Sequence, residues 1–211
     1  MSLVAGGLLV VMVGIVWRRD LAATIRLLAL QGLLVGAIPL VSGIGHGDGQ
    51  LAGVGVAVIV LRAVIFPRLL ATKLRGQAEE DRESTPLVNT TVSLLVAAAL
   101  VVAAYVVASP LVALAPRGAT RDVPVGFAMV FIGVFLLISR RKALSQIIAL
   151  LVLDNGIDAI AFLATLGVPF VVELGASLDV LLALAILGVL TGRMYAKFGG
   201  SDLDDLRELH E

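Results

Sequence analysis

Apolar segments of membrane-span length follow one another along nearly the whole chain, and this pattern limits the fold more than any other feature. Of the 211 residues, 59% are hydrophobic, and the mean hydropathy is +1.05. With the 22 glycines included, roughly 70% of the chain is apolar, compared with about 45–50% in a soluble domain. These values exclude an ordinary soluble domain and also a disordered chain, which would be poor in apolar residues.

The apolar segments predict membrane-spanning helices, each of which needs about 20 predominantly apolar residues. The segments lack the strict alternation of apolar and polar residues that is typical of a transmembrane barrel. A helix also satisfies its own backbone hydrogen bonds where water is absent. We therefore predict an all-α membrane protein, folded as a single transmembrane domain, with about seven spans at roughly 2–17, 21–43, 51–71, 87–108, 123–139, 143–165 and 168–192.

Basic residues distinguish the two sides of the membrane. They follow every second span, whereas the other loops contain none except Arg117 and Arg121. Because cytoplasmic loops carry the excess of Lys and Arg, we predict an outside N-terminus and a cytoplasmic C-terminus in a multi-pass protein of the inner (cytoplasmic) membrane. The basic residues that follow spans 1, 3, 5 and 7 are Arg18, Arg19, Lys73, Arg75, Arg82, Arg140, Arg141, Lys142, Arg193 and Lys197.

The spans divide into two three-helix units, 1–71 and 123–211, of which the second includes a cytoplasmic tail. A cytoplasmic loop, 72–86, and a linking helix, 87–108, lie between them. Apolar positions of span 2 match those of span 6 at a constant offset, which fits either an internal duplication or a chance match of apolar helices. The matching pairs are Ile25 with Ile148, Leu27 with Leu150, Leu28 with Leu151 and Leu30 with Leu153.

Four carboxyl side chains lie within the last two spans, where a charge costs about 2.5–3.5 kcal/mol on insertion. Asp154 lies about 16 Å from the cytoplasmic end of its helix, near the middle of the bilayer. Asp158 follows one turn later on the same face. In the antiparallel last span, Asp179 reaches a depth similar to that of Asp154, and Glu173 lies near the depth of Asp158. Such acids are typical of proton and cation pathways, so we predict that all four belong to one.

Arginines within the spans offer a second interpretation, in which the acids only form structural ion pairs. The candidate partners are Arg26 and Arg62. Arg62 lies near the middle of its span, shortly before Pro67, and a proline inside a helix frees a carbonyl and allows a kink. We include Arg62 in the predicted pathway as a switch or counter-ion, whereas Arg26 and Arg68 are expected to extend towards the membrane surface.

Residues for other kinds of chemistry are scarce. The chain has no cysteine and two histidines, which excludes disulfides, thiolate zinc sites, cysteine-ligated iron–sulfur clusters and cysteine nucleophiles. Lys plus Arg equals Asp plus Glu at 16 each, so net charge gives no indication of nucleic-acid binding. We therefore predict no catalytic residue, metal or cofactor in this chain and no nucleic-acid partner.

The second half of the chain resembles hydrogenase-4 component E, a membrane subunit of formate hydrogenlyase-type, group 4 membrane-bound NiFe hydrogenase complexes. Its last three helices are also similar to the K subunit of complex I and to the C subunit of multi-subunit Na⁺/H⁺ antiporters. The segments that carry the resemblance are SRRKALSQIIALLVLDNGIDAIAFLATLG from Ser139, VELGASLD from Val172 and GGSDLDDL from Gly199.

Several family motifs fall on the ionisable positions of the spans. The family's acid-Asn-Gly triplet matches 154–156, with Asp in place of Glu, and the acid of the K subunit in this helix would fall at Leu151 on the same face. The last-helix glutamate of the K subunit matches Asp179. A mid-membrane Lys before a Pro matches Arg62 and Pro67, and because Arg cannot lose its proton as Lys can, Arg62 is expected to be a fixed counter-charge.

The resemblance implies a subunit of an oxidoreductase complex, without a catalytic centre of its own. Its expected neighbours are lipid, membrane-arm subunits (antiporter-like ones and one similar to the H subunit of complex I) and peripheral hydrogenase-type subunits that hold the NiFe and iron–sulfur centres. The buried carboxyls would then contribute to a proton or Na⁺ pathway. Two alternatives fit the same acids: a subunit of a multi-subunit Na⁺/H⁺ antiporter without redox activity, and a purely structural membrane-arm scaffold.

Overall fold

The computed structural model describes residues 2–75, 88–114 and 119–165, and no β-strand occurs in these ranges. A π-helical segment, Ile59–Ile65, joins the third α-helix to the fourth, and a short 3₁₀ turn, Ala119–Asp122, precedes the sixth. The fold class predicted from the sequence, all-α, is confirmed for this part of the chain. The α-helices are Ser2–Trp17 (α1), Leu21–His46 (α2), Gly49–Val58 (α3), Phe66–Arg75 (α4), Thr90–Leu114 (α5), Val123–Ser139 (α6) and Ala143–Thr165 (α7).

Membrane-span length separates these helices into two groups. The described residues include four helical stretches that are long and apolar enough to cross a membrane: Leu21–His46, Gly49–Thr72, Thr90–Ala113 and Ala143–Ala164. The apolar helices α1 and α6 are shorter, with 16 and 17 residues, and coincide with the predicted spans 2–17 and 123–139. The predicted span 168–192 lies outside the described residues. Seven spans and their orientation therefore remain predictions.

Two boundaries differ from those predicted. The third helical stretch continues to Arg75, so the first residues of the predicted loop 72–86 are helical. Helix α5 begins at Thr90 and passes the predicted end at 108, through Pro110. Proline has no N–H for the carbonyl four residues earlier, but the Ser109 hydroxyl donates a hydrogen bond to that carbonyl, Val106 O, at 2.8 Å. The helix continues because a side chain replaces the missing donor.

Two helical hairpins, α1–α2 and α6–α7, lie side by side. Helix α2 packs against α7, and α1 packs against α6. The turns of both hairpins lie at the same end, where Arg140 Nη2 donates hydrogen bonds to Val16 O at 3.4 Å and Arg18 O at 3.5 Å. Helices α2 and α7 therefore run parallel, and their middle turns lie at the same level. These are the first two helices of each predicted three-helix unit.

Glycines allow the helix backbones within this bundle to approach closely. A Cβ atom placed at Gly55 of α3 would lie 2.6 Å from Leu40 Cβ of α2, and one placed at Gly133 of α6 would lie 2.8 Å from Leu153 Cα of α7. Small residues at such contacts are typical of helix pairs in membranes, where lipid tails are as apolar as the side chains and close packing stabilises association. As a result, side chains on facing helices come within direct reach of one another.

Candidate functional site

The most unusual buried side chain in the described bundle is Arg62, which is 1% exposed although its guanidinium is always charged. It lies in the middle of the π segment. Its Nη1 contacts Asp154 Oδ2, and its Nη2 contacts Asp158 Oδ2. The planar fork of a guanidinium presents several N–H donors at once, which suits two carboxylates. An ionic cluster of three residues thus joins the π segment to α7.

Helix α7 presents both carboxylates to one guanidinium because residues four apart lie on the same face of a helix. Asp158 is 6% exposed, and the side chain of Asp154 is 16% exposed. Asp154 lies near the midpoint of the 23-residue helix α7. Arg62 likewise lies near the midpoint of the stretch Gly49–Thr72. The cluster therefore occupies the central levels of two candidate spans and is distant from their ends.

A chain of amide groups extends the cluster towards α1. Arg62 Nη1 also donates a hydrogen bond to Asn155 Oδ1 at 2.7 Å. Asn155 Nδ2 donates to Gln31 Oε1 of α2 at 3.1 Å, and Gln31 Nε2 contacts Met12 Sδ of α1 at 2.9 Å. Both amide side chains are essentially fully buried. Together with the two aspartates, these groups form one polar network that crosses the bundle from α7 to α1.

The backbone around Arg62 departs from regular α-helix. The amide of Phe66 donates to Leu61 O, five residues earlier, which is the hydrogen-bond pattern of a π-helix. Pro67 follows the segment and has no N–H to donate to Ala63 O. A π turn changes the direction of the side chains on either side of it and occurs frequently at functional sites. The kink expected from Pro67 is thus accompanied by a π turn that contains Arg62.

The charges of the cluster do not cancel if both carboxyls are ionised, because one guanidinium then faces two carboxylates. A net charge in a medium of low dielectric constant is costly unless it is paired or neutralised. Arg26 of α2 does not take part in the cluster. It is exposed and donates to a carbonyl of its own helix, Ala22 O, at 3.4 Å. Arg68 of α4 is also exposed, and α6 contains no charged residue.

The residues predicted for the pathway divide into two groups. The structure brings Arg62, Asp154 and Asp158 into direct contact. Of the two candidate partners of these acids, Arg26 and Arg62, the structure identifies Arg62. Asp179 and Glu173 lie outside the described residues. Within the described ranges, no group of three or more His, Asp or Glu side chains could hold a metal ion. The pathway role of all five residues remains a prediction.

Sequence reasoning missed Gln31, although a signal for it was present. It is a strongly polar side chain in the middle of the apolar span 21–43, and a buried amide needs hydrogen-bond partners. Only the structure identifies Asn155 as that partner. The contact of Met12 with Gln31 could not be predicted, because methionine is a common core residue in apolar helices.

Comparison with known proteins gives one full-length relative and a more distant set. The chain is 52% identical over 207 residues to "Uncharacterized protein Rv0085" of Mycobacterium tuberculosis. The aligned residues make up 98% of this chain and 94% of the relative. It is 20% identical over 160 residues to hydrogenase-4 component E of Escherichia coli strain K12 and of Shigella flexneri, covering 76% of this chain and 74% of each relative. No family model and no solved structure matches. The chain therefore belongs to the family of the mycobacterial protein Rv0085 and is distantly related to hydrogenase-4 component E.

Proposed function

We propose that this chain is an integral membrane subunit of a complex I-related, group 4 hydrogenase-type complex and contributes buried carboxyls to its ion pathway. The observation that carries the proposal is the ionic cluster of Arg62, Asp154 and Asp158 at the centre of two candidate spans. Ionisable residues at such depth are rare, and ion pathways and proton relays are among the functions that they mark. The distant similarity to hydrogenase-4 component E supports the same class of complex.

The proposal includes orientation and partners. The chain would lie in the cytoplasmic membrane with its N-terminus outside and its C-terminus in the cytoplasm, because basic residues follow alternate spans. Antiporter-like subunits and a protein similar to the H subunit of complex I would flank it, and peripheral subunits would hold the NiFe and iron–sulfur centres. Asp179 and Glu173 would continue the pathway beyond Asp154 and Asp158.

Purification in mild detergent, followed by identification of the accompanying subunits, tests the assignment to a complex. Copurification of nickel- and iron–sulfur-bearing subunits supports a hydrogenase-type complex. Copurification with antiporter subunits alone would replace this assignment with a Na⁺/H⁺ antiporter. A chain that purifies alone, stable and monodisperse, would contradict both assignments.

Substitution of the acids tests the pathway itself. Asp154→Asn keeps the size and polarity of the side chain but removes its negative charge, so we expect the assembled complex to lose ion translocation. Asp48→Asn is the matched control, because Asp48 is exposed and caps the N-terminus of α3, a position at which Asn is equally favourable. Unchanged ion translocation in Asp154→Asn and in Asp158→Asn would refute the pathway.

A structural scaffold is the second candidate, and the mutual pairing of the buried polar groups favours it. Each terminal nitrogen of Arg62 has a carboxylate partner, and the amides of Asn155 and Gln31 bond to each other. A network that only fixes the order of the helices would be expected to form the same contacts. The two functions differ in whether ion translocation survives when the whole cluster is replaced by apolar residues.

A further inference from the structure

We infer that Arg62 makes the pathway selective for protons over Na⁺, because its guanidinium permanently occupies the position between Asp154 and Asp158 that a metal cation would need. This inference rests on the proposed function and adds the identity of the ion. The guanidinium keeps its charge at all relevant pH values, so its position is never vacated by deprotonation.

Four oxygen atoms of the polar network already contact nitrogen atoms. Both Asp Oδ2 atoms contact the guanidinium, and Asn155 Oδ1 accepts from Arg62 Nη1 at 2.7 Å. The oxygen of Gln31 accepts from Asn155 Nδ2 at 3.1 Å. A hard metal cation binds through several oxygen ligands at once, and the guanidinium lies between the two carboxylates that would supply the first of them. Binding of Na⁺ between the two carboxylates would require the guanidinium, which contacts Asp154, Asp158 and Asn155, to leave.

A proton requires neither a vacant position between the carboxylates nor several oxygen ligands. It binds a single carboxyl oxygen and needs no shell of ligands, so it can be accommodated while the guanidinium stays in place. The charge of the cluster favours it, because one guanidinium with one ionised and one protonated carboxyl has no net charge, and neutrality is favoured in a medium of low dielectric constant. The proton would enter by forming an O–H bond on one aspartate and leave when that bond breaks, while Arg62 keeps all its protons.

The test measures proton movement and uptake of radiolabelled sodium in membrane vesicles that contain the whole complex. For the wild-type complex, we expect proton movement that is unchanged when choline replaces sodium, and no sodium uptake. Arg62→Lys keeps a cationic side chain at this position, but its amine can lose its proton, so we expect sodium to inhibit this variant more strongly as the pH rises. Arg62→Gln vacates the position between the two carboxylates, so we expect sodium to inhibit the remaining proton movement in that variant. If Arg62→Gln fails to assemble, sodium inhibition of Arg62→Lys at alkaline pH supports the inference, and sodium uptake by the wild-type complex overturns it.

The possible failures are distinguishable. If the wild-type complex takes up sodium and Asp154→Asn abolishes that uptake, the selectivity inference is overturned while the pathway stands. If Asp154→Asn and Asp158→Asn change neither flux, the proposed function fails, and the inference fails with it. Proton movement that is independent of sodium in the wild-type complex, is lost in Asp154→Asn and becomes sensitive to sodium in Arg62→Gln supports both.

Discussion

Gly32 of α2 lies against the backbone of Arg62, so that a Cβ atom placed at Gly32 would come within 2.7 Å of the Arg62 carbonyl carbon. This contact brings α2 against the π segment at the level of the ionic cluster. The neighbouring residue, Gln31, reaches Asn155 from the same turn of α2. The absence of a side chain at Gly32 therefore allows α2 to lie directly against the backbone of Arg62.

Gly32→Ala is expected to displace Arg62 from the two carboxylates. A backbone cannot yield as a flexible side chain can, and overpacking of this kind costs about 1–3 kcal/mol. Gly53→Ala is the matched control, because a Cβ atom at that exposed position of α3 would meet nothing within 4 Å. Thermal unfolding of the complex in detergent measures the difference. Equal melting temperatures for the two variants would show that α2 does not hold the π segment in place.

Arg62→Met is expected to destabilise the protein strongly. Removal of one partner from a buried ionic contact costs about 3–5 kcal/mol, because the remaining charges are left without compensation in the interior. Arg26→Met removes the same groups from an exposed position and should have little effect. Denaturant unfolding in mixed micelles measures both variants. Comparable stability in Arg62→Met and Arg26→Met would mean that water or another cation compensates the two aspartates.

Replacement of all three residues of the ionic cluster distinguishes a structural role of the cluster from a role in ion translocation. Apolar residues of similar volume in place of a buried ionic network are often neutral or stabilise by about 1–4 kcal/mol. We therefore expect Arg62→Met combined with Asp154→Leu and Asp158→Leu to recover the stability lost in Arg62→Met. Ion translocation should nevertheless be abolished in the assembled complex. A stable triple variant that still translocates ions at the wild-type rate would leave the cluster with a structural role only.

The ionisable residues of the cluster were identified from the sequence more completely than the contacts that they make. The positions of the two acids, one helical turn apart, and of a single arginine deep in another span follow from helix geometry and hydropathy alone. Arg26 and Arg62 were both candidate partners of the acids, and although only Arg62 was expected to lie deep in its span, depth does not reveal which face of the helix meets α7. That choice is settled by packing between helices that are distant in the sequence.

The π segment and the amide chain were not predicted. Pro67 indicated a disturbed helix, but a missing N–H is compatible with a kink, a 3₁₀ turn or a π turn, and tertiary packing selects among them. Pro110 illustrates the same limit, since the Ser109 hydroxyl compensates for it and α5 continues. Contacts such as Gln31 with Asn155 depend on the register of two parallel helices, which hydropathy does not determine.

The hydrogen bond between Gln31 and Asn155 is expected to stabilise the contact of α2 with α7 by a measurable but modest amount. Hydrogen bonds between membrane helices average about 0.6 kcal/mol in double-mutant cycles. Gln31→Leu and Asn155→Leu should each cost more than this, because each leaves a buried polar partner unsatisfied. The double variant should be less destabilised than the sum of the two single variants, as measured by unfolding in mixed micelles. Strict additivity would mean that the two amides do not interact in the folded protein, and the polar chain would then end at Asn155.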